Sequence, residues 1–464
     1  MITLTVAEIA KAIDAQIVDL DPHETISEYP VIDSRDATAG TFFVALKGEN
    51  VDGSDFAADA IARGARFAIT SKTFGGPAFI VEDSLRALTS LAKFARDRAR
   101  SCTFIAITGS QGKTTTKEFL GQVLLTSGET VVPSGSFNNE IGLPLTLLRC
   151  TDQTKYCVLE MGARHSGDIA ALCEIARPTI GAVLVVGSAH VGEFGSRSAI
   201  ASTKAELIDS LPSDGVAVLG TYDEFTPAMA SARSDLSQIT FGEKSSVDVR
   251  AADIEIREGR AHFDLVTPAG RAAVSLRTLG AHQIANALAA SAIATSLNIP
   301  IDSIASALSM AELQSKWRME LHDLGDYVVI NDSYNANPES MAAALRTLAL
   351  FAQERGGSSW AFLGKMHELG ESEKDSHGEV GRLAAALGID HLVAVGTRLY
   401  EIPEAERKSL SMHYCPTQED ALALASHLAA GDCVLIKASR AEKLELLSGN
   451  IVTMFEKRSS GDSQ

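Results

Sequence analysis

The sequence predicts an α/β chain of three units: a small α/β unit, a central parallel-sheet unit with a P-loop-like turn, and a third α/β series. Three observations lead there. At 464 residues the chain exceeds what one hydrophobic core usually supports. Short β-type runs alternate with helix-spaced segments almost throughout, the order that produces parallel sheets covered on both faces. The stretch IAITGSQGKTTTKEF, residues 105–119, places a Gly-containing turn between an apolar strand and a helix.

Residues 1–84 form the first unit. TFFVALKG (41–48), RFAIT and AFIVED are strand-like, and DFAADAIARGA (55–65) has helical apolar spacing. SLRALTSLAKFARDRAR (84–100) is helical and joins this unit to the next. Residues 85–312 form the second unit. TFIAIT, YCVLEMG, GAVLVVG and GVAVLG are its strands, with helices from Lys113, after Gly167 and around 199–211. A β-rich insert at 237–279 precedes the helix GAHQIANALAASAIATSL. Residues 313–464 form the third unit, through YVVIND, SMAAALRTLALF, WAFLG, GRLAAALGI, HLVAVG, ALALASHLA and DCVLIKAS.

Composition narrows the function. Lys plus Arg number 41 against 59 Asp plus Glu, a net charge of −18, which repels nucleic acid and anionic membranes. Any phosphate must therefore be captured by a local site. The six cysteines show neither pair spacing nor metal-ligand spacing and read as buried thiols of a reducing compartment. MITLTVAEIAKAID lacks a basic region followed by an apolar core, and no run is long enough to span a bilayer, so the expected location is cytoplasmic.

The turn TGSQGKTT lacks the first glycine of the full Walker spacing, because Ile107 stands there, but keeps G-x-x-G-K-T-T between strand and helix. Gly109, Ser110, Gln111 and Gly112 turn backbone N–H groups inward, Lys113 reaches the terminal phosphates, and Thr114 and Thr115 open the helix. The Thr114 hydroxyl is a ligand for Mg²⁺. Glu160 ends the next strand, at the same carboxyl edge, as an oxygen ligand or else a carboxylate near the following helix. His190 follows another strand by a short Gly-containing loop, on the same rim or in a structural role. Lys204 is by spacing a solvated lysine beside Glu206; facing a metal, it could ligate only as a carbamate. Asn286, four residues after His282, is an adenine contact or a helix-packing amide. Arg318 suits a γ-phosphate and Asp332 a ribose hydroxyl. Asn337 and Pro338 read as N-cap and first helical residue, which leaves Tyr334 and Asn335 facing the crevice.

Along nearly its whole length the chain resembles the ATP-dependent Mur ligases of peptidoglycan synthesis. The likeness rests on DSR and FFVALKGENVDGSDFAADAIARGA, on TGSQGKTTTKE, SFNNEIGLPLTLL, LEMGARHSGDIA, HVGEFGS and TKAEL, and on GAHQIANALAA, DSYNANPESM and LGKMHELG. FNNEIGLP and DSYNANPESM point to the branch that adds D-alanyl-D-alanine. The resemblance implies a UDP-binding first domain, a central ATPase and a Rossmann-like third domain. It implies ATP with Mg²⁺, as one ion or two and with Mn²⁺ as a substitute. The implied substrates are UDP-N-acetylmuramoyl-tripeptide and D-alanyl-D-alanine, taken by a monomer without nucleic-acid or membrane partners.

By motif, Ser34 and Arg35 are then expected at the UDP-sugar, and Asn138 and Asn139 near phosphate and substrate. Glu160 and His190 are expected at Mg²⁺, Lys204 as the family's carbamylated lysine, and Arg318 and Asp332 at ATP. Two motifs depart from the family pattern. GKMHELG puts Lys365 where Asp is usual, at a position expected to face the cleft, and KASR puts Ala438 where Gly is usual. The rival readings are a folylpolyglutamate synthetase or another Mur ligase, a P-loop motor ATPase, and a catalytically silent UDP-sugar binding protein.

Overall fold

The computed structural model describes residues 1–188 and 191–459. Three large sheets carry the described residues, beside a two-stranded antiparallel pair of Leu4–Thr5 with Thr25–Ile26. In the first, Tyr29–Val31, Thr41–Val44, Ala68–Thr70 and Ala78–Ile80 run parallel, and Gln16–Val18 closes one edge antiparallel. Its centre is aromatic: Phe42 stacks on Phe67 at 4.8 Å, and Phe67 meets Phe79 edge-on at 5.1 Å.

The second sheet has nine strands. Thr103–Thr108 lies between Tyr156–Glu160 and Ile180–Val183, parallel to both. Alternation along this strand covers both faces. Phe104 and Ala106 enter one buried cluster while Ile105 and Ile107 enter another. Each fully buried large side chain contributes about 1.5–3 kcal/mol relative to exposure, which fixes the register. The β-rich insert is not a separate layer. Val249–Arg257 extends the same sheet parallel to Ser237–Gly242, and Arg260–Thr267 and Gly270–Leu279 follow antiparallel, so the sheet is mixed. Glu258 and Gly259, at φ +49° and +66°, make the two-residue turn that suits a twisted antiparallel hairpin.

The cluster on the Phe104 face does not stop at the sheet. It runs through the helix Ser84–Arg98, by Leu88, Leu91 and Ala95, to Phe42, Phe67, Phe79 and Met1 of the first unit. The first two sheets thus share one continuous core.

In the third sheet, Val328–Asp332, Cys433–Lys437, Ser359–Leu363, His391–Val395 and Ser411–Cys415 are parallel neighbours in that order, with Glu320–Asp323 antiparallel at one edge. Strand order reverses beside Thr103–Thr108 in the second sheet and beside Val328–Asp332 in the third. Parallel sheets bind ligands at the carboxyl ends of such strands. Here the two carboxyl ends line one cleft of about 1100 Å³.

Candidate active site

The turn after Thr103–Thr108 leads straight into the helix Lys113–Leu125, whose free N-terminal N–H groups and dipole favour an anion. Gly112 is required at the bend. Its φ is +82°, and a Cβ there would fall 2.2 Å from Asn286 Oδ1. The Ser110 hydroxyl accepts from Gly187 N–H at 2.9 Å, and Ser110 N–H donates to the Val185 carbonyl at 2.9 Å. Lys113 Nζ donates to the Gly109 carbonyl at 2.7 Å. Desolvation holds the Lys113 ammonium below the usual lysine range, opposed by Glu160 and reinforced by Arg318. Gln111, Thr114 and Thr115 complete this wall of the cleft.

Glu160 is only 1% exposed, and each of its oxygens has a partner. Thr114 Oγ1 donates to Oε2 at 2.9 Å and Asn138 Nδ2 to Oε1 at 2.9 Å. Asn139 is exposed, and its Oδ1 accepts from Gly142 N–H at 3.0 Å, at the start of the helix Gly142–Leu147. Lys204, on the helix Arg197–Asp209, is buried in the same cleft with no hydrogen-bond partner for Nζ among the described residues. Desolvation, then the nearby Lys113 charge, pulls its pKa down to about 7. His190 lies outside the described residues.

The opposite wall comes from the third sheet and the connection leading into it. Gln314 N–H donates to Glu118 Oε2 at 2.9 Å, so the P-loop helix holds that connection. Trp317 and Met319, at φ +62° and +51°, flank Arg318. Left-handed backbone at such residues costs on the order of 1–3 kcal/mol each, offset here by local contacts. The Arg440 guanidinium lies 4.3 Å from the Trp317 ring centre, and that of Arg318 lies 4.0 Å from the Tyr334 ring centre. Arg318 Nη2 donates to Ser136 Oγ at 3.2 Å. Asp332 faces the cleft with its carboxylate already engaged: Met319 N–H donates to Oδ1 at 3.1 Å and Lys437 Nζ to Oδ2 at 2.5 Å. Tyr334 and Asn335 line the cleft beside it.

The donor set fits a nucleoside triphosphate with a hard cation. Thr114 and Glu160 offer oxygen only, which suits Mg²⁺ completed by phosphate and water. Among the described residues no group of three or more His, Cys, Asp or Glu could hold a metal by itself. Among the described residues two buried nitrogens in the cleft wall, His282 Nδ1 and Arg318 Nε, have no partner, as expected of groups awaiting a ligand. Asn286 is buried against the P-loop helix, with Nδ2 donating to Gln283 Oε1 at 2.8 Å, and also reaches the cleft.

The model for the Mur ligase family, catalytic domain, matches residues 31–84, that for the Mur ligase middle domain residues 107–294, and that for the Mur ligase, glutamate ligase domain, residues 317–440. A Mycobacterium bovis protein named UDP-N-acetylmuramoyl-tripeptide--D-alanyl-D-alanine ligase is 39% identical, over 97% of this chain and 98% of its own. The chain belongs to the Mur ligase family. An Escherichia coli K12 protein of the same name is 33% identical over 87% of this chain and 88% of its own. A crystal structure of MurF from Acinetobacter baumannii superposes with a TM-score of 0.85, at 33% identity, covering 97% of this chain and 99% of that one. MurF ligase from Thermotoga maritima, solved in complex with ADP, gives 0.77 at 31% identity, covering 94% and 99%.

Two expected site residues of this Mur ligase stand apart from the cleft. Ser34 and Arg35 form a short 3-10 turn in the first unit, where Arg35 Nη2 pairs with Asp33 at 2.5 Å. Lys365 corrects the sequence reading. It does not line the cleft, because Nζ turns to Glu373 Oε1 at 2.9 Å, in the first turn of the helix Glu373–Ala386. Ala438 is fully buried, and a Cβ on Gly364 would come within 2.8 Å of its methyl, so this position needs a small side chain.

Spacing missed Lys437 and His367. Lys437 sits within an apolar strand, where a buried lysine signals a partner. His367 occupies the free position of GKMHELG, and its Nε2 lies 2.6 Å from Glu442 Oε1.

Proposed function

We propose that the protein is an ATP-dependent ligase that joins D-alanyl-D-alanine to UDP-N-acetylmuramoyl-tripeptide through an acyl phosphate, in peptidoglycan precursor synthesis. One observation carries this reading. The P-loop, Glu160 and Lys204 of the second unit meet Arg318, Asp332 and Lys437 of the third in a single cleft, in a chain 39% identical to a ligase of that name.

The peptide carboxylate attacks the γ-phosphorus and ADP departs with the electrons of the broken P–O bond. The amine of D-alanyl-D-alanine then attacks the acyl carbon, loses a proton and expels orthophosphate. Lys113 and Arg318 hold positive charge beside the phosphoryl group in transfer, where little covalent work is needed and positioning dominates. Thr114 and Glu160 would hold Mg²⁺, which when bound offsets phosphate charge. His190 is proposed with them from its motif, and the site takes one ion or two, with Mn²⁺ as a substitute. The third sheet covers the second and keeps water from the acyl phosphate.

Lys204 is proposed as a carbamate. A buried amine with a pKa pulled to about 7 is largely neutral just above that pH, the form that adds carbon dioxide. Ser34 and Arg35 are proposed at the UDP-sugar, Asn138 and Asn139 near phosphate and substrate, and the working units as 1–84, 85–312 and 313–464, in a cytoplasmic monomer. Among the described residues no helix is long and apolar enough to cross a membrane.

The test is phosphate release with each substrate withheld in turn. Release is expected only when tripeptide nucleotide and dipeptide are both present, with ¹⁸O passing from the peptide carboxylate into orthophosphate. ATP hydrolysis indifferent to both would replace this reading with a motor or regulatory ATPase. Lys204→Ala is expected to be inactive and partly restored by short carboxylates.

A further inference from the structure

The third unit touches the second at a point that no step above uses. Glu339 is the second residue of the helix Pro338–Arg355, whose start is fixed by the Asn337 and Ser340 capping pair. Its carboxylate crosses to the segment after the strand Ile180–Val183. Ser188 N–H donates to Oε1 at 2.8 Å and the Ser188 hydroxyl to Oε2 at 2.9 Å. The adjacent Gly187 N–H donates to the Ser110 hydroxyl of the P-loop at 2.9 Å. Gly187 packs tightly here, since a Cβ would lie 3.1 Å from Glu339 Oε1 and press on that carboxylate. A second backbone contact lies five residues on from Gly187, where a Cβ on Gly192 would come within 2.6 Å of the Gly370 nitrogen.

We propose that Glu339 is a positioning residue for the ligation: by gripping Ser188 it couples docking of the third unit to the conformation of the P-loop at Ser110. The inference rests on the function proposed above. The relay is short and directional, from the Glu339 carboxylate through Ser188 and Gly187 to Ser110. It lets the phosphate-binding turn take its bonded form only when the covering unit is seated. An acyl phosphate formed under an unseated cover would lose its phosphate to water. Water oxygen would attack the acyl carbon, orthophosphate would leave, and the carboxylate would be regenerated.

The experiment compares Glu339→Ala, Glu339→Gln and Ser188→Ala with the wild type, counting orthophosphate and amide product in the same reaction. One phosphate per amide is expected for the wild type. For Glu339→Ala, kcat is expected to fall between about 10- and 100-fold, as for misplaced reacting groups. Its phosphate-to-amide ratio should rise above one. Glu339→Gln, which keeps the length and one acceptor oxygen, should fall between. Hydrogen exchange adds a readout free of turnover: the amides of Gly187 and Ser188 should both lose protection in Glu339→Ala. A ratio that stays at one in all three variants, or unchanged protection at Gly187 in Glu339→Ala, overturns the latch. Wild-type protein that forms no amide overturns the proposed function instead, and the exchange result then judges the latch alone.

Discussion

The Thr114 hydroxyl donates to Glu160 Oε2 at 2.9 Å, tying the first turn of the P-loop helix to the end of the neighbouring strand. Glu160→Gln keeps the shape and the bond from Asn138 Nδ2 to its one amide oxygen, while its NH2 can only donate, towards the Thr114 hydroxyl, and the anionic oxygen is gone. The Mg²⁺ concentration giving half-maximal phosphate release is expected to rise on the order of 10- to 100-fold, as when groups that support a metal site are lost. A Mg²⁺ titration, paired with a denaturant curve showing near-native stability, checks it.

Gly112→Ala forces a side chain into left-handed backbone and into Asn286 Oδ1 at 2.2 Å. A loss of about 1–3 kcal/mol is expected from the backbone alone. Trimming the obstacle in Gly112→Ala/Asn286→Ala should return only the steric share, which a double-mutant cycle by urea unfolding measures.

Lys204 gives stability a pH signature. Its folded pKa of about 7 lies below the unfolded value near 10.4, so between those pH values the unfolded chain binds more protons. The Lys204 contribution therefore makes stability rise with pH across that window, and the full penalty of a buried ammonium applies below about 7. In carbon-dioxide-free buffer, Lys204→Met should show a flatter dependence of the unfolding midpoint between pH 7 and 9. Parallel curves for the two proteins would contradict the burial argument.

Lys437→Met strands the Asp332 carboxylate and the Asn335 carbonyl, which now receive Nζ at 2.5 and 2.8 Å. Breaking a fully buried pair costs about 3–5 kcal/mol; Asp332 borders the cleft and keeps its bond from Met319 N–H, so a smaller loss and a lower denaturant midpoint are expected. Asp332→Asn in the same chain should recover part of that loss, and calorimetry of the two variants tests it.

Residues 105–119 announced most of the cleft, because a strand, a Gly turn and a helix in sequence leave the anion site nowhere else to form. Glu160 was legible for the same reason, as the last residue of an adjacent parallel strand. Lys204 was not: helical spacing places it beside Glu206, and only the packing of its helix on the sheet turns it inward. The pairing of Lys437 with Asp332 joins strands more than a hundred residues apart, which local pattern cannot register. Lys365 misled because motif position carries no information about a nearby acid such as Glu373. The β-rich insert was seen as strands, but its place at the edge of the central sheet depends on pairing with Ser237–Gly242.

The helix Ser84–Arg98 sits inside an apolar mass common to the first two sheets. Cutting the chain ahead of Thr103 would therefore peel a greasy lining off the nucleotide module and leave it prone to precipitate. The amino-terminal part behaves as ballast fixed to the hull, since its aromatic centre and the central sheet are one mass.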